Sequence, residues 1–463
     1  MITYSIIQKS QLEGALRIDA EYYQPEYLEL VKTLINTKSY RRWNDIEGKF
    51  ITGPFGSEFN VENYVDGGNY RYVRGKDVKE FFLLNNDNVY IPQKDFERLK
   101  KYSLQEGDIL ISVVGTLGNT SIVGGSTVPA IFSCKSTVFR TDAINPFYFI
   151  AYLNCKYGKN LLQRNGRGHV QIGLNIDDLK NLIIFIPSTN EQKYIADLVI
   201  QSKKLIDESK QLYNDGENLL LGELGLKDVV FEEDLSFIVS FSDVKNADRI
   251  DAEYFQPKYV KIIDKIKKYE GGWDILEKAV RFKDKNFTPG EDEKYKYLAL
   301  SNISSQGYVQ DYQEELGKNL PSRARRKINT GDVIISSIEG SLSSCAIIEE
   351  EFDNAICSTG FFILQSEKIN PETLLILFKS NIMQELLQRG SKGTILTAIS
   401  KTELEYIKIP LIRLSVQKEI AEMVKKSHEA RKKSKELLEQ AKREVEEMID
   451  SASSLQVEKV DNN

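Results

Sequence analysis

The chain has 463 residues, of which 41% are hydrophobic and 28% are charged, and its formal net charge is −6. This composition is that of a globular protein with roughly two to four domains, and the longest apolar runs, residues 182–186 and 361–364, are too short to cross a membrane. The first residues lack the basic flank and long apolar core of a secretory signal, so we expect a cytoplasmic protein without a membrane partner.

The chain contains a long internal repeat. Residues 17–27 read RIDAEYYQPEY, and roughly 230 residues later residues 249–259 read RIDAEYFQPKY. We therefore expect two similar halves, in which shared residues form a common scaffold and differing residues serve different tasks. Other short strings return at a similar distance, namely Gly107-Asp108 as Gly331-Asp332 and Gln192-Lys193 as Gln417-Lys418.

Both halves show the same order of predicted elements, which indicates an α+β fold with mixed or antiparallel sheets. In the first half a helix follows the repeated segment, strands are predicted at residues 70–73, 109–114 and 131–140, Asn145-Pro146 opens a helix, and a final strand ends at Pro187. The second half has strands at residues 333–337 and 355–364, a helix opened by Asn370-Pro371, and a strand that ends at Pro410.

The two halves differ in one Gly-rich loop. Residues 50–59 read FITGPFGSEF, whereas the second half has FKDKNFTPG at residues 282–290. A Gly-x-x-Gly string is weak evidence for phosphate binding, because the loop has neither the GxxxxGK[ST] nor the GxGxxG pattern. Differing loops on matching scaffolds suit two different targets.

Each half ends in a predicted long helix, at residues 189–225 and 413–452. Their apolar residues follow alternating steps of three and four, flanked by Lys and Glu. Two such stripes predict an antiparallel coiled coil rather than two helices that each pack on their own domain, because a solitary stripe would stay exposed. Asn214-Asp215-Gly216 interrupts the first stripe, so we expect that helix to kink or to end earlier than its partner.

About 30 helical residues span about 45 Å, so the helix pair is expected to act as a spacer between two globular domains. The predicted division is a first domain at residues 1–188, a spacer helix at 189–225, a second domain at 226–412, a spacer helix at 413–452 and a polar tail at 453–463.

Basic residues cluster at comparable places in both halves, although the net charge is negative. Local potential decides nucleic-acid binding, and Arg, Lys, Asn and Gln read base edges while Lys, Arg, Ser and Thr hold phosphates. We expect Arg74 and Arg325 to read bases, and surface salt bridges are the alternative for about half of the set. The predicted DNA-binding residues are Thr52, Ser57, Arg71, Arg74, Lys76, Arg164, Arg167, His169 and Gln171 in the first half and Lys283, Lys285, Arg323, Arg325, Arg326, Arg389 and Lys392 in the second.

One motif is similar to a catalytic signature. Asn145-Pro146-Phe147-Tyr148 resembles the (D/N)PP(F/Y) string of amino-methyltransferases, which binds the target amine of a flipped base. The second proline is missing, and an Asn N-cap followed by Pro explains both this string and Asn370-Pro371. The sequence has no Ser-His-Asp set, and Cys134, Cys155, Cys345 and Cys357 form no CxxC pair, so we expect no catalytic residue, metal or cofactor.

The RIDAEYYQPEY segment, the GPFGS loop, the GDILIS strand, the Asn-Pro helix and the Gln-Lys helix together resemble the specificity subunit of type I restriction-modification systems. The resemblance extends over nearly the whole chain, from Arg17 to Asp450. It implies a subunit without chemistry of its own that reads double-stranded DNA. Each domain would read one part of a bipartite, asymmetric target, and the helices would set the gap. It also implies as partners two copies of an adenine methyltransferase (modification) subunit and an endonuclease subunit that translocates DNA.

Two other functions remain open, a self-contained adenine-N6 DNA methyltransferase and a two-headed protein adaptor. Binding of S-adenosylmethionine by the isolated chain would indicate the first, and salt-sensitive DNA affinity would argue against the second. Because both halves share the repeated segment, we expect it to serve structure or partner docking rather than base reading.

Overall fold

The chain forms two compact units. The computed structural model describes residues 4–10, 12, 17–55, 58–65, 67–85, 87–168, 172–227, 229, 235–283, 285–304, 306–392 and 397–461. Unit 1 consists of Met1–Leu205 and Lys433–Asn463, and unit 2 consists of Ile206–Lys432. Among the described helices, none combines the length and the apolar character that crossing a membrane requires.

Unit 1 alternates short strands with short helices, and a long helix, α6, begins in it. In chain order these elements are α1 Pro25–Asn36, β1 Tyr40–Arg42, β2 Lys49–Thr52, β3 Arg71–Val73, β4 Phe81–Phe82, β5 Val89–Tyr90, α2 Gln93–Arg98, β6 Ile109–Ser112, β7 Thr120–Ile122, β8 Ala130–Phe132, β9 Ser136–Arg140, α3 Pro146–Asn154, α4 Lys156–Arg164, α5 Ile176–Lys180, β10 Ile183–Phe185 and α6 Thr189–Glu223.

Unit 2 repeats this order, and the second long helix, α13, begins in it. Its elements are α7 Phe241–Ala247, α8 Pro257–Lys267, β11 Trp273–Ile275, α9 Leu276–Ala279, β12 Arg281–Phe282, β13 Lys294–Leu298, β14 Gln313–Leu316, β15 Ala324–Lys327, β16 Val333–Ser336, β17 Cys345–Ile347, β18 Ile356–Ser358, β19 Phe361–Gln365, α10 Pro371–Lys379, α11 Asn381–Arg389, β20 Ser391–Lys392, β21 Ala398–Ile399, α12 Lys401–Glu405, β22 Lys408–Pro410 and α13 Leu414–Asp461.

The sheets of the two units share the same central strands and differ at their edges. The main sheet of unit 1 has the order β2-β9-β6-β7-β4, and a second sheet, β5-β3-β8, pairs β3 with β8 in parallel. Unit 2 has the sheets β12-β19-β16-β17 and β14-β13-β18-β15, in which β13 and β18 are parallel. The other pairings in the sheets of unit 2 are antiparallel. The predicted α+β fold with mixed sheets is confirmed.

One predicted strand in each half is two strands. Residues 131–140 form β8 and β9, and residues 355–364 form β18 and β19, with each member of a pair in a different sheet. The prediction of a single strand was wrong because it joined two apolar stretches across the short turns at Cys134-Lys135 and Thr359-Gly360. The Ser136 amide donates to the Ser133 carbonyl (3.1 Å) to close that turn in unit 1.

The two long helices run antiparallel within each unit, as predicted. In unit 1 the Ser202 and Ser434 hydroxyls lie 2.8 Å apart, and the Tyr194 hydroxyl donates to Glu444 (3.1 Å). From Tyr194 to Ser202 the residue number rises along α6, while the contacting residue on α13 falls from Glu444 to Ser434, so the two helices run in opposite directions. In unit 2 the Ser209 and Ser427 hydroxyls are 2.9 Å apart and Arg413 pairs with Glu223 at 2.7 Å, which gives the same direction.

Helix α6 has 35 residues and α13 has 48, so the first helix is the shorter one, as predicted. However, α6 passes without a break through Asn214-Asp215-Gly216, so the predicted interruption there was wrong. Gly216 lies against Ile376 and Met423, and a Cβ there would meet side-chain atoms of both at 3.9 Å. Packing on both sides therefore holds a helix that the local sequence disfavours.

Each unit completes its core with the C-terminal part of a long helix that begins in the other unit. Ala441, Val445 and Ile449 of α13 are fully buried in the apolar core of unit 1. Leu220 of α6 and Leu224, which directly follows this helix, lie in the apolar core of unit 2. The stripes that predicted a helix pair thus also supply core residues to the domains.

Candidate nucleic-acid interface

The repeated segment forms a cation–π stack in unit 1. The Arg17 guanidinium pairs with Asp19 (2.6 Å), and its carbon lies 4.6 Å from the centre of the Tyr22 ring. Arg164, at the end of α4, lies 3.9 Å from the same ring and donates its Nε hydrogen to the Tyr22 carbonyl (2.8 Å). Burial lowers the pKa of Arg164. This predicted DNA-binding residue is therefore held against the chain's own repeated segment.

Unit 2 builds the same stack from the second copy. Arg249 pairs with Asp251 (2.7 Å), and the Tyr254 ring has Arg249 at 4.4 Å and Arg389 at 4.3 Å. Arg389 donates to the Tyr254 carbonyl (3.0 Å), as Arg164 does in unit 1. The two copies are thus equivalent in contacts as well as in sequence, and this agrees with the expected structural or docking role.

Tyr22→Leu and Tyr254→Leu are each expected to destabilise the unit that carries the change by about 1–2 kcal/mol, because a ring between two partly desolvated guanidiniums is lost. Urea unfolding of the full-length chain, followed by hydrogen exchange of peptides from each unit, measures the effect. Tyr40→Leu, an exposed tyrosine of β1, is the matched control. Equal losses in Tyr22→Leu and in the control would contradict the stack's contribution.

Two predicted DNA-binding arginines are enclosed by their own unit. Arg71 is 5% exposed and donates to the Leu84 carbonyl (2.6 Å) and the Asn85 side chain. Arg326 donates to the Phe361 carbonyl, and its guanidinium lies beside the Phe362 ring at 5.8 Å. Both side chains hold neighbouring segments of the fold together.

Lys283 also has a partner within its unit, and the reason is visible in the duplication. Its ammonium lies 2.5 Å from Asp332, the fully buried aspartate of the second Gly-Asp turn. In unit 1 the equivalent Asp108 pairs with Arg140 from β9 (2.7 Å). Gln365 stands at the position of Arg140 in β19 and donates to Asp332 (2.7 Å), so Lys283 supplies the missing positive charge.

Arg74 and Lys76 lie on the turn after β3, where Lys76 is exposed and the Arg74 side chain is 17% exposed. Arg74 forms a two-point contact with Asp77 (2.9 and 3.1 Å), and Lys76 contacts Asp87 (2.8 Å). The Lys76 hydrogen bond, followed by the charge of Arg74, lowers the pKa of the exposed Asp87 carboxyl. Exposed ion pairs contribute little to stability, so an incoming phosphate can replace Asp87 at low energetic cost.

The remaining predicted residues of unit 1 are scattered. Thr52 ends β2 and is half-buried opposite Thr137 of β9. Arg167 pairs with Asp178 at 2.7 Å, and its side chain remains 44% exposed. Ser57, His169 and Gln171, and in unit 2 the side chain of Lys392, lie outside the described residues.

Unit 2 assembles a basic edge from Lys285, Arg323, Arg325 and Lys327. Asn286 forms an antiparallel bridge with Arg326, which places Lys285 beside Lys327. The register of β15 against β18 shifts between Ala324 and Arg326, and such bulges redirect side chains. Lys285, Arg323 and Lys327 are exposed and Arg325 is half-buried.

An aromatic ring lies within the basic edge. The Phe287 amide donates to the Arg325 carbonyl (2.6 Å), and the Lys327 ammonium lies 5.7 Å from the Phe287 ring. Neither Phe287 nor Lys327 was among the predicted DNA-binding residues. Lys327 could have been predicted, because it belongs to the basic run at residues 323–327. Phe287 could not, because only the pairing of Asn286 with Arg326 brings it beside Lys327.

The methyltransferase-like string is a helix N-terminus. The Asn145 side chain accepts hydrogen bonds from two backbone amides of the first turn of α3 (3.0 and 3.3 Å). Tyr148 is fully buried and donates to the Phe185 carbonyl (2.8 Å). Asn370 caps α10 in the same way (2.8 Å). The predicted N-cap is confirmed, and neither side chain is presented to a flipped base.

Comparison with known proteins identifies the family. The model of the type I restriction modification DNA specificity domain matches this chain twice, at residues 54–215 and 273–443. The chain belongs to this family. The resemblance found in the sequence is thereby confirmed.

Two specificity subunits from Methanocaldococcus jannaschii cover most of the chain. A putative type I restriction enzyme MjaX specificity subunit is 24% identical over 78% of this chain and 81% of its own length. The type I restriction enzyme MjaVIII specificity subunit is 23% identical over 84% and 86%. A crystal structure of a type I restriction-modification S subunit from M. genitalium covers 89% of this chain and 95% of its own, with 14% identity and a TM-score of 0.42.

The two matches to the specificity-domain model divide the site residues between the units. The first match contains the Arg74 turn, and the second contains the whole basic edge, residues 285–327. Each copy of the specificity domain therefore presents its own exposed basic group, built on an equivalent pair of sheets.

Proposed function

We propose that the chain is the DNA-binding specificity subunit of a type I restriction-modification complex, in which each unit reads one part of a bipartite, asymmetric target. The observation that carries this proposal is the double match to the DNA specificity domain on two structurally equivalent units. Two matching scaffolds within one chain that carry different basic groups suit the reading of two different half-sites.

The partners follow from the family. We propose that the chain joins two copies of a modification subunit and an endonuclease subunit, and that the antiparallel helices set the distance between half-sites. The two equivalent copies of the repeated segment support the binding of two modification subunits, because identical partners require equivalent surfaces. Assembly on genomic DNA places the complex in the cytoplasm.

Within the proposed DNA surface we assign different roles to five basic residues. Arg325 at the bulge and Arg74 on the turn are the proposed base readers, since a guanidinium can donate twice to guanine. Lys76, Lys285 and Arg323 are proposed to hold phosphates. The tightly bound Arg71, Arg164, Lys283, Arg326 and Arg389 are proposed to act on DNA only through the backbone they position.

Fluorescence anisotropy tests DNA binding directly. The full-length chain, alone and with its modification subunit, is titrated with a random duplex library, and the bound fraction is sequenced. We expect a motif of two short blocks separated by a fixed gap, and an affinity that falls steeply with added salt. A protein adaptor would show neither the motif nor the salt dependence.

We further propose that the chain has no catalytic centre of its own. The isolated full-length chain is expected to bind no S-adenosylmethionine in calorimetry at a ligand concentration of about 1 mM, whereas its mixture with the modification subunit binds the cofactor. The Asn145 and Asn370 side chains support this expectation because their oxygens are used as helix caps. Saturable binding by the isolated chain would favour the methyltransferase alternative.

A further inference from the structure

Each unit has a recess beside its cation–π stack. The recess in unit 1 has a volume of about 390 Å³ and the recess in unit 2 about 150 Å³. They occupy equivalent places, because the residues that line them recur in the same order along the repeat. Tyr22, Leu161, Arg164 and Leu182 line the first recess, and Tyr254, Leu386, Arg389 and Ile407 line the second.

The recess in unit 1 carries an excess of positive charge. Arg17 and Arg167 contact carboxylates, at 2.6 and 2.7 Å, but Arg164 donates to a neutral carbonyl. Arg42, which is exposed, adds a further guanidinium to the lining. The charges of the recess are therefore only partly neutralised by the chain itself.

The recess in unit 2 keeps a positive charge at the same place by a different residue. Arg42 pairs with Ile183 across the β1–β10 ladder, and in unit 2 the equivalent pair is Ile275 with Lys408. The basic residue has moved to the opposite strand, yet Lys408 lines the second recess, where Arg389 adds a second positive charge and Glu403 a single negative one. Burial, followed by the charges of Lys267 and Arg389, lowers the pKa of Lys408. Two unlike solutions that retain one positive charge indicate that the charge serves a ligand.

Each recess also has an apolar part of its lining, and this feature distinguishes between anionic ligands. Val31 in unit 1 and Ile263 in unit 2 stand at equivalent places in the repeat, line the recesses and are partly exposed. A side chain inserted with its neighbours can cover such a lining and present a carboxylate to the guanidinium. A phosphodiester on the smooth backbone of a duplex would reach the charges but leave the apolar lining uncovered.

We propose that the two recesses are docking sockets for an acidic and apolar segment of the modification subunit, one socket for each of two identical copies. This inference rests on the proposed function. Charge complementarity selects an acidic segment, the partly exposed apolar lining selects protein over DNA, and the equivalence of the two recesses selects a partner that is present twice.

The test is the stoichiometry of the full-length chain with its modification subunit in sedimentation velocity, at concentrations close to the wild-type Kd. The wild-type chain is expected to bind two copies. Arg42→Glu and Lys408→Glu are each expected to bind one copy, and the double variant none. The affinity of the free chain for duplex DNA is expected to stay unchanged in all three.

Matched controls separate this result from general charge effects. Arg41→Glu alters the neighbouring residue of β1, whose side chain points to the other face of the strand, and Lys278→Glu alters an exposed lysine of α9. Both controls are expected to bind two copies. Arg42→Ile combined with Ile183→Lys transfers the unit 2 arrangement into unit 1, and we expect it to bind two copies as well.

Three outcomes would overturn the inference. The first is two bound copies in the Arg42→Glu and Lys408→Glu double variant with intact thermal unfolding. The second is an equal loss in Arg41→Glu. The third is weaker DNA binding by the free chain with a smaller salt slope, which would assign the recess to phosphates. A wild-type chain that binds neither DNA nor the modification subunit would instead refute the proposed function.

Discussion

Val445→Asp is expected to unfold unit 1 while unit 2 stays folded. Val445 of α13 is fully buried in the core of unit 1. An unpaired carboxylate in an apolar core removes on the order of 4 kcal/mol of stability, a large part of the roughly 5–15 kcal/mol that holds a domain together. Most of unit 1, Met1–Leu205, lies more than two hundred residues upstream of Val445. The loss of this distant segment's structure would therefore be a stringent test of the fold.

The reciprocal change is Leu220→Asp in α6, which is expected to unfold unit 2 and spare unit 1. Hydrogen exchange with mass spectrometry on the full-length chain reports both units in one experiment. Arg443→Asp and Asn218→Asp place the same carboxylate on exposed positions of the two helices, and both are expected to leave exchange unchanged. If Val445→Asp exposed only peptides of unit 2, the assignment of α13 to the core of unit 1 would be wrong.

Arg325→Ala is expected to weaken binding to the cognate DNA by about 1–3 kcal/mol, or about 5- to 150-fold in Kd, and to relax sequence preference in one half of the target only. Arg325 is half-buried at the bulge in β15, its Nε donates to the Ser322 carbonyl (3.2 Å), and the exposed Lys285 and Lys327 belong to the same paired segments. A residue in this position can contact a base edge while its neighbours hold the flanking phosphates.

Selection of bound duplexes from a library, repeated at several salt concentrations, measures this effect. Lys285→Ala is expected to weaken the binding of all sequences alike and to reduce the salt slope by about one, because it removes a proposed phosphate contact. Arg281→Ala, an exposed arginine of β12 in the other sheet of unit 2, is the control and should change neither property. An Arg325→Ala variant with unaltered affinity and selectivity would remove Arg325 from the DNA surface.

The basic residues show what a sequence pattern can and cannot predict about a binding surface. The clusters show where basic residues stand in the sequence, but a cluster does not reveal which of its members is neutralised. Arg326 bonds to the Phe361 carbonyl while Lys327, the next residue, is exposed. Lys283 was predicted to contact DNA from its place in a basic loop, and the structure pairs it with the buried Asp332. Such pairings join residues far apart in sequence, so local composition does not contain them.

The recess and the basic edge depend on pairing in the same way. Arg42 and Lys408 stand at unrelated positions in the repeat and become equivalent only across the β1–β10 and β11–β22 ladders. Phe287 joins Lys327 only because Asn286 pairs with Arg326. In the recesses and at the basic edge, the surroundings of a side chain are therefore set by the strand that pairs with its own strand.

By itself, the sequence determined the duplication, the order of elements, the antiparallel helix pair, the Asn N-caps and the family. These features rest on periodicity and on local hydrogen bonding, which neighbouring residues settle among themselves. Only the tertiary structure decided that α6 continues through Gly216, that one predicted strand in each half divides into two, and that each long helix completes the core of the unit where it ends. Those outcomes depend on burial against distant segments, and the free energy of burying apolar surface there exceeds the local preferences that favoured a break.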